Sequence, residues 1–222
     1  NGTSIENADG KYMGLITMRT ALIESRNIPA LKAFQAVYKE NPDYIIDFVH
    51  SLGIDYGADL YESASIGGFE GISPIQMSAA YAAFGRGGYY IEPYSYTKLE
   101  VIETGEIIEY KYEKEKVMSE ETAYMITDML VSAAENGVGG VSVSGTTIAA
   151  KSGTSNVDRN WAEQNGIPTS ATRDSWNVTY SPEYSIALWL GYDKTTKEDY
   201  LTVSVGNKAR KAIMKAVGSK VY

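Results

Sequence analysis

The chain holds 222 residues, 44% of them hydrophobic and 22% charged, the balance of a globular chain with one sizeable core or at most two small ones. Twenty Lys and Arg against 28 Asp and Glu leave a net charge of −8, which speaks against a nucleic-acid groove, where cations must cluster. With no cysteine and a single histidine, His50, zinc-finger, iron–sulfur, thiol and disulfide chemistry are excluded, and no apolar run approaches the roughly 20 residues of a membrane span.

Met18, Ala21 and Leu22 predict a short amphipathic helix over Thr17 to Glu24. Ser25-Arg26-Asn27 interrupts it, and a second helix begins near Pro29 with Leu31, Phe34, Val37 and Tyr38 on its apolar face. Asn41-Pro42-Asp43 starts a third, which Gly53 ends. Residues 54 to 72 read as loop. Ser73-Pro74 opens a fourth helix, with Met77, Ala80, Tyr81 and Phe84 on one side, stopped by Gly85, Gly87 and Gly88. A strand pair follows, Tyr96 to Ile102 and Ile107 to Tyr112, turning at Thr104-Gly105. Ser119 opens a strong helix that Gly137, Gly139 and Gly140 break.

The remainder is β-rich. Thr147 to Thr154 reads as a strand, Asn156 to Asp174 as a polar loop, and Ser175 to Tyr180 with Tyr184 to Tyr192 as a hairpin. Gly206 to Val217 reads as a closing helix with Ala209, Ile213, Ala216 and Val217 inward. Helices first and hairpins later predict an α+β fold with an antiparallel sheet flanked by helices. The helical part spans about residues 11–135 and the sheet-rich part about 145–222 of one domain, 1–222.

Two short motifs carry chemistry: Ser25-Arg26-Asn27 between two helices, and Lys151-Ser152-Gly153-Thr154 at the end of a strand. Each alone is weak; an isolated S-x-N is a common helix cap. Together and in this order they match two of the three signatures of the serine penicillin-recognising enzymes. The flanks extend the match. Tyr12 to Arg19 running into Ser25-Arg26-Asn27-Ile28-Pro29-Ala30, Gly71-Ile72-Ser73-Pro74-Ile75-Gln76-Met77, and Asp174-Ser175-Trp176 with Trp189-Leu190-Gly191-Tyr192 all resemble the transpeptidase domain of class A penicillin-binding proteins.

That resemblance implies a fold and a set of roles. The fold is that of the penicillin-recognising transpeptidases and β-lactamases, here in part. The reaction is acyl transfer that cross-links peptidoglycan stem peptides, with β-lactams as covalent inhibitors. Ser25 would shuttle a proton between the nucleophile's lysine and the leaving amine. Asn27 would hold the donor's amide carbonyl and help position the lysine. Lys151 would supply positive potential for the substrate's terminal carboxylate, which Ser152 and Thr154 would bind by their hydroxyls. Gly153 would let the substrate lie against the strand, and the Thr154 backbone N–H would give half of the oxyanion hole. No cofactor or metal is implied, and the domain would sit on the extracytoplasmic face of the bacterial membrane, its anchor outside this chain.

One signature is missing. S-x-x-K, which carries the nucleophile, precedes S-x-N in the family. The only S-x-x-K here is Ser95-Tyr96-Thr97-Lys98, on a predicted strand, where positions i and i+3 face opposite ways. The expectation is therefore a C-terminal portion of the domain, with the nucleophile on an upstream segment and this chain inactive alone. A non-catalytic domain binding cell-wall peptides or a partner protein, and a D,D-carboxypeptidase or β-lactamase of the same fold, remain as alternatives. His50 reads as structural, lacking a motif partner.

Overall fold

Thr17 accepts a hydrogen bond from the Thr20 backbone and so starts the first helix, α1 (Met18–Ile23), where the sequence places it. The computed structural model describes residues 4–57, 60–68, 71–137 and 140–222; the predicted breaker Gly139 lies outside them. α2 (Asn27–Glu40) and α3 (Asp43–Ser51) follow, and then a short 3-10 helix (Glu62–Ile66) inside the stretch read as loop. α4 (Pro74–Gly85) opens on a full capping box: the Ser73 hydroxyl takes the Gln76 N–H, and the Gln76 side chain takes the Ser73 N–H.

The predicted hairpin forms as β2 (Lys98–Val101) and β3 (Glu106–Glu109), with Gly105 at φ 69° supplying the left-handed turn residue. On either side of it, β1 (Tyr89–Tyr90) and β4 (Glu115–Lys116) pair antiparallel, a contact the sequence reading missed. α5 (Glu120–Asn136) is the long central helix, capped by Ser119.

The main sheet is antiparallel, in the order β5 (Ala149–Asn156), β6 (Ala171–Tyr180), β7 (Ser185–Gly191), with β8 (Leu201–Thr202) pairing the start of β6. β5 is an edge strand, so one row of its backbone donors and acceptors is free of the sheet. The polar stretch after it is not all loop: α6 (Arg159–Gln164) forms there, because Asp158 accepts from the Trp161 N–H and Ala162 and Ile167 pack on Ala171.

The two faces of the sheet carry different helices. On one, Tyr180 is 1% exposed and packs with Leu130 of α5, Ala149 of β5, and Tyr81 and Phe84 of α4. Its hydroxyl is 2.9 Å from Thr127 Oγ1. On the other lies α7 (Val203–Val221). Its buried residues are Gly206, Arg210, Met214 and Gly218, whereas Ile213 and Val217 are exposed. The predicted inward face was therefore wrong. Glycine allows the close approach: a Cβ on Gly206 would meet Ser175 Oγ at 2.9 Å. Gly206 lets the helix lie close on the sheet, and Arg210, one turn on, is buried with it.

Among the described residues, no helix is long and apolar enough to cross a membrane.

Candidate active site

The chain between α1 and α2 turns sharply. Ser25 has φ 49°, a left-handed conformation that costs a residue with a Cβ about 1 kcal/mol. The surrounding structure holds it there. Ser25 and Arg26 donate their backbone N–H groups back to Leu22 and Ala21. From the N-terminal side, Asn7, 6% exposed, accepts the Asn27 and Ile28 N–H groups on its Oδ1 at 3.0 and 3.2 Å and donates to the Lys11 carbonyl at 2.8 Å. Asn7 thus does the capping that the Arg26 side chain does not supply. Arg26 binds the same segment, pairing with Asp9 at 3.0 Å and holding its carboxyl below the usual range.

Opposite this turn runs β5. Alternation along the strand sends Lys151 and Gly153 toward the α5 side and Ser152 and Thr154 toward α7. Lys151 Nζ donates to Ser25 Oγ at 2.8 Å and to the Ser152 carbonyl at 2.9 Å. The two motifs, 126 positions apart, therefore meet through their functional groups. Burial, and secondarily the Arg210 guanidinium, push the Lys151 ammonium down to about 8. A small gap of about 10 Å³, enough for one water, opens beside Ser25, Lys151 and Ser152 against Ala133 and Gly137.

The other predicted residues fall as follows. The Asn27 carboxamide donates to the Glu6 carbonyl at 2.7 Å, turned to the N-terminal segment and not to Lys151. Gly153 pairs with Trp176, and a Cβ there would meet the Trp176 Cβ at 3.4 Å, an ordinary contact. Packing does not demand glycine at this position. Thr154 is exposed, and its Oγ1 accepts from Arg210 Nη1 at 3.0 Å. Just past the motif, Ser155 donates to Asp174, whose second oxygen takes the Trp189 Nε1–H at 2.8 Å. This carboxylate ties β5, β6 and β7 together at the site's far end.

Sequence reasoning missed Asn7 and Arg210. Asn7 has no local signal, because it caps a helix 20 residues away. Arg210 did have one: Gly206, Arg210, Met214 and Gly218 repeat every four residues. The Ser95-Tyr96-Thr97-Lys98 stretch is exposed and lies at a bend leading into β2, not on a helix. His50 is exposed on α3, 3.8 Å from Asp55.

Residues 1–218 match the family model of the penicillin-binding protein transpeptidase domain. Penicillin-binding protein 1A/1B of Bacillus subtilis is 44% identical over 86% of this chain and 21% of its own length. Penicillin-binding protein 1A of Streptococcus pneumoniae is 34% identical over 99% of this chain and 30% of its own. The chain thus spans less than a third of the curated relatives it matches. Among solved structures, the PonA1 protein of Mycobacterium tuberculosis in complex with penicillin V superposes with a TM-score of 0.74 at 22% identity, covering 97% of this chain and 58% of that one.

Proposed function

The chain belongs to the penicillin-binding protein transpeptidase family, and from that premise we propose that it forms the acyl-transfer half of a site that cross-links peptidoglycan stem peptides and is blocked by β-lactams. The observation that carries the proposal is the 2.8 Å hydrogen bond from Lys151 Nζ to Ser25 Oγ. A hydroxyl held by an ammonium whose proton is loosened toward pH 8 is suited to relay a proton during attack on an amide.

The residues take these roles. The attacking serine gives its proton to the S-x-x-K lysine as its oxygen bonds to the carbonyl carbon, and Ser25 relays that proton to the amine that leaves as the amide C–N bond breaks. Lys151 keeps the relay oriented and presents positive potential to the donor's terminal carboxylate. The Ser152 and Thr154 hydroxyls bind that carboxylate, while Gly153 leaves the strand's face clear for the peptide. The Thr154 N–H supplies part of the oxyanion hole on the open edge of β5. Asn27 holds the donor amide carbonyl once substrate draws its carboxamide from the Glu6 carbonyl.

The attacking serine comes from an S-x-x-K helix outside these 222 residues, and this chain alone does not acylate. Exposed apolar surface beside the Ser25 turn supports a covering segment: Tyr12, Met13, Leu15 and Met18 are each more than half exposed and line a groove of about 600 Å³. The domain works on the outer face of the cytoplasmic membrane.

A product assay tests the reaction. The full-length protein, given a stem-peptide thioester and a D-amino acid acceptor, is expected to form the transpeptidation product. Hydrolysis alone would assign it to the carboxypeptidases. Binding without turnover would make it a non-catalytic peptide-binding domain.

A further inference from the structure

Arg210 lies midway along α7 and is 1% exposed. Among the described residues no Asp or Glu pairs with it. A buried cation without a carboxylate is an arrangement that stability alone does not favour. Its acceptors are all neutral and all on β5 or β6: the Gly153 carbonyl at 3.3 Å, Thr154 Oγ1 at 3.0 Å, Ser175 Oγ at 3.2 Å and the Trp176 carbonyl at 3.5 Å. Its Nε is buried and has no partner among the described residues.

A guanidinium only donates. The Thr154 oxygen must therefore accept from Arg210, and the hydroxyl's single proton is left for another acceptor. Thr154 is exposed on an edge strand, so that acceptor arrives from solvent. Lys151 extends from the opposite face of the same strand. The segment from Ser152 to Thr154 is thus flanked by two cations, and the group that satisfies both them and a donating hydroxyl is an anion with two acceptor oxygens.

We infer that Arg210 is a positioning residue for the substrate carboxylate: by donating to Thr154 Oγ1 it commits that hydroxyl to donate, and it completes with Lys151 a two-cation frame around the 152–154 strand. This rests on the carboxylate-binding reading above. It adds a residue from the last helix to the recognition of the donor's terminus.

The test is non-covalent, so it does not depend on the attacking serine. Saturation-transfer NMR on the full-length protein compares an N-acyl-D-Ala-D-Ala dipeptide with its C-terminal amide. The parent is expected to prefer the carboxylate, and Arg210→Met to lose about tenfold of that preference, the scale of one hydrogen bond to a charged group. Thr154→Val is expected to lose as much, and the double variant no more than Thr154→Val, the mark of action through that hydroxyl. If near-UV circular dichroism shows Arg210→Met unfolded, Arg210→Lys replaces it, with about a threefold loss expected because the ammonium lacks the planar fork. An unchanged preference in a folded Arg210 variant, or a loss fully additive with Thr154→Val, overturns the inference alone. A parent without any preference for the carboxylate overturns the carboxylate-binding reading and the inference together.

Discussion

Lys151 Nζ sits 2.8 Å from Ser25 Oγ, joining an edge strand to a strained turn 126 residues earlier in the chain. Both groups are held there at a cost. Ser25 pays for a left-handed backbone, and Lys151 is held where its charge is disfavoured.

The loosened Lys151 proton has a signed consequence for stability. Its folded value, about 8, lies below the ordinary 10.5, so between these two the unfolded chain binds more protons than the folded one. Stability from this group is expected to rise with pH from about 8 to 10. Above 10 the trend meets an opposing one, because burial raises the Tyr180 hydroxyl to about 12 and the folded chain then keeps a proton the unfolded chain loses. Melting temperatures of the parent and Lys151→Met, compared at pH 7 and 9.5, check this: the parent gains relative to the variant as pH rises.

The same value predicts ligand behaviour of opposite sign. Attraction for a carboxylate weakens as Lys151 loses its proton, so affinity for an acyl-D-Ala-D-Ala dipeptide falls as pH rises through 8. Lys151→Arg, which stays charged, flattens the profile. Equal slopes in parent and variant would assign the titration to another group.

Gly153→Ala separates fold from function. The added methyl meets only the Trp176 Cβ at 3.4 Å, so the melting temperature is expected to hold within a few degrees. Binding of the dipeptide or of a β-lactam, which the proposed site lays along the strand, is expected to drop sharply. A variant that melts early but binds normally would make the glycine structural.

Asn7→Ala removes the acceptor for two helix N–H groups and the tether to Lys11. The expected cost is about 1–2 kcal/mol by urea denaturation. Hydrogen exchange should speed up first at Asn27 and Ile28. Exchange that quickens evenly along α2 would show that Asn7 is a general packing residue instead.

Tyr180→Phe isolates one hydrogen bond in the core. The ring stays packed on Tyr81 and Phe84, and only the contact with Thr127 is lost. A loss of about 1 kcal/mol is expected, against about 3–5 for Tyr180→Ala, which empties the junction of α4, α5 and β6.

These contacts also mark what was legible in the sequence. Helix starts were readable wherever the cap was local, as at Thr17, Ser73 and Ser119, and the hairpin could be placed from its Thr104-Gly105 turn. The two motifs were readable as residue types at known spacing, though their meeting is a tertiary fact. The inward face of α7 was misread because apolar weight pointed to Ile213 and Val217, while the decisive property was small size at Gly206 and Gly218. Asn7 caps a helix 20 residues away and left no pattern to read, whereas the four-residue spacing of Gly206, Arg210, Met214 and Gly218 marked the buried face of α7 but not the partner of Arg210, 56 residues earlier.

The most direct test of the account is intact-mass analysis of the full-length protein after brief penicillin exposure, in parent and Lys151→Ala. The account predicts one penicilloyl adduct on a serine outside these 222 residues, forming at least a hundredfold more slowly in the variant, a loss on the scale of removing a preorganised catalytic charge. An adduct on Ser25, Ser95 or any other serine of this chain, or an unchanged rate without Lys151, would contradict it.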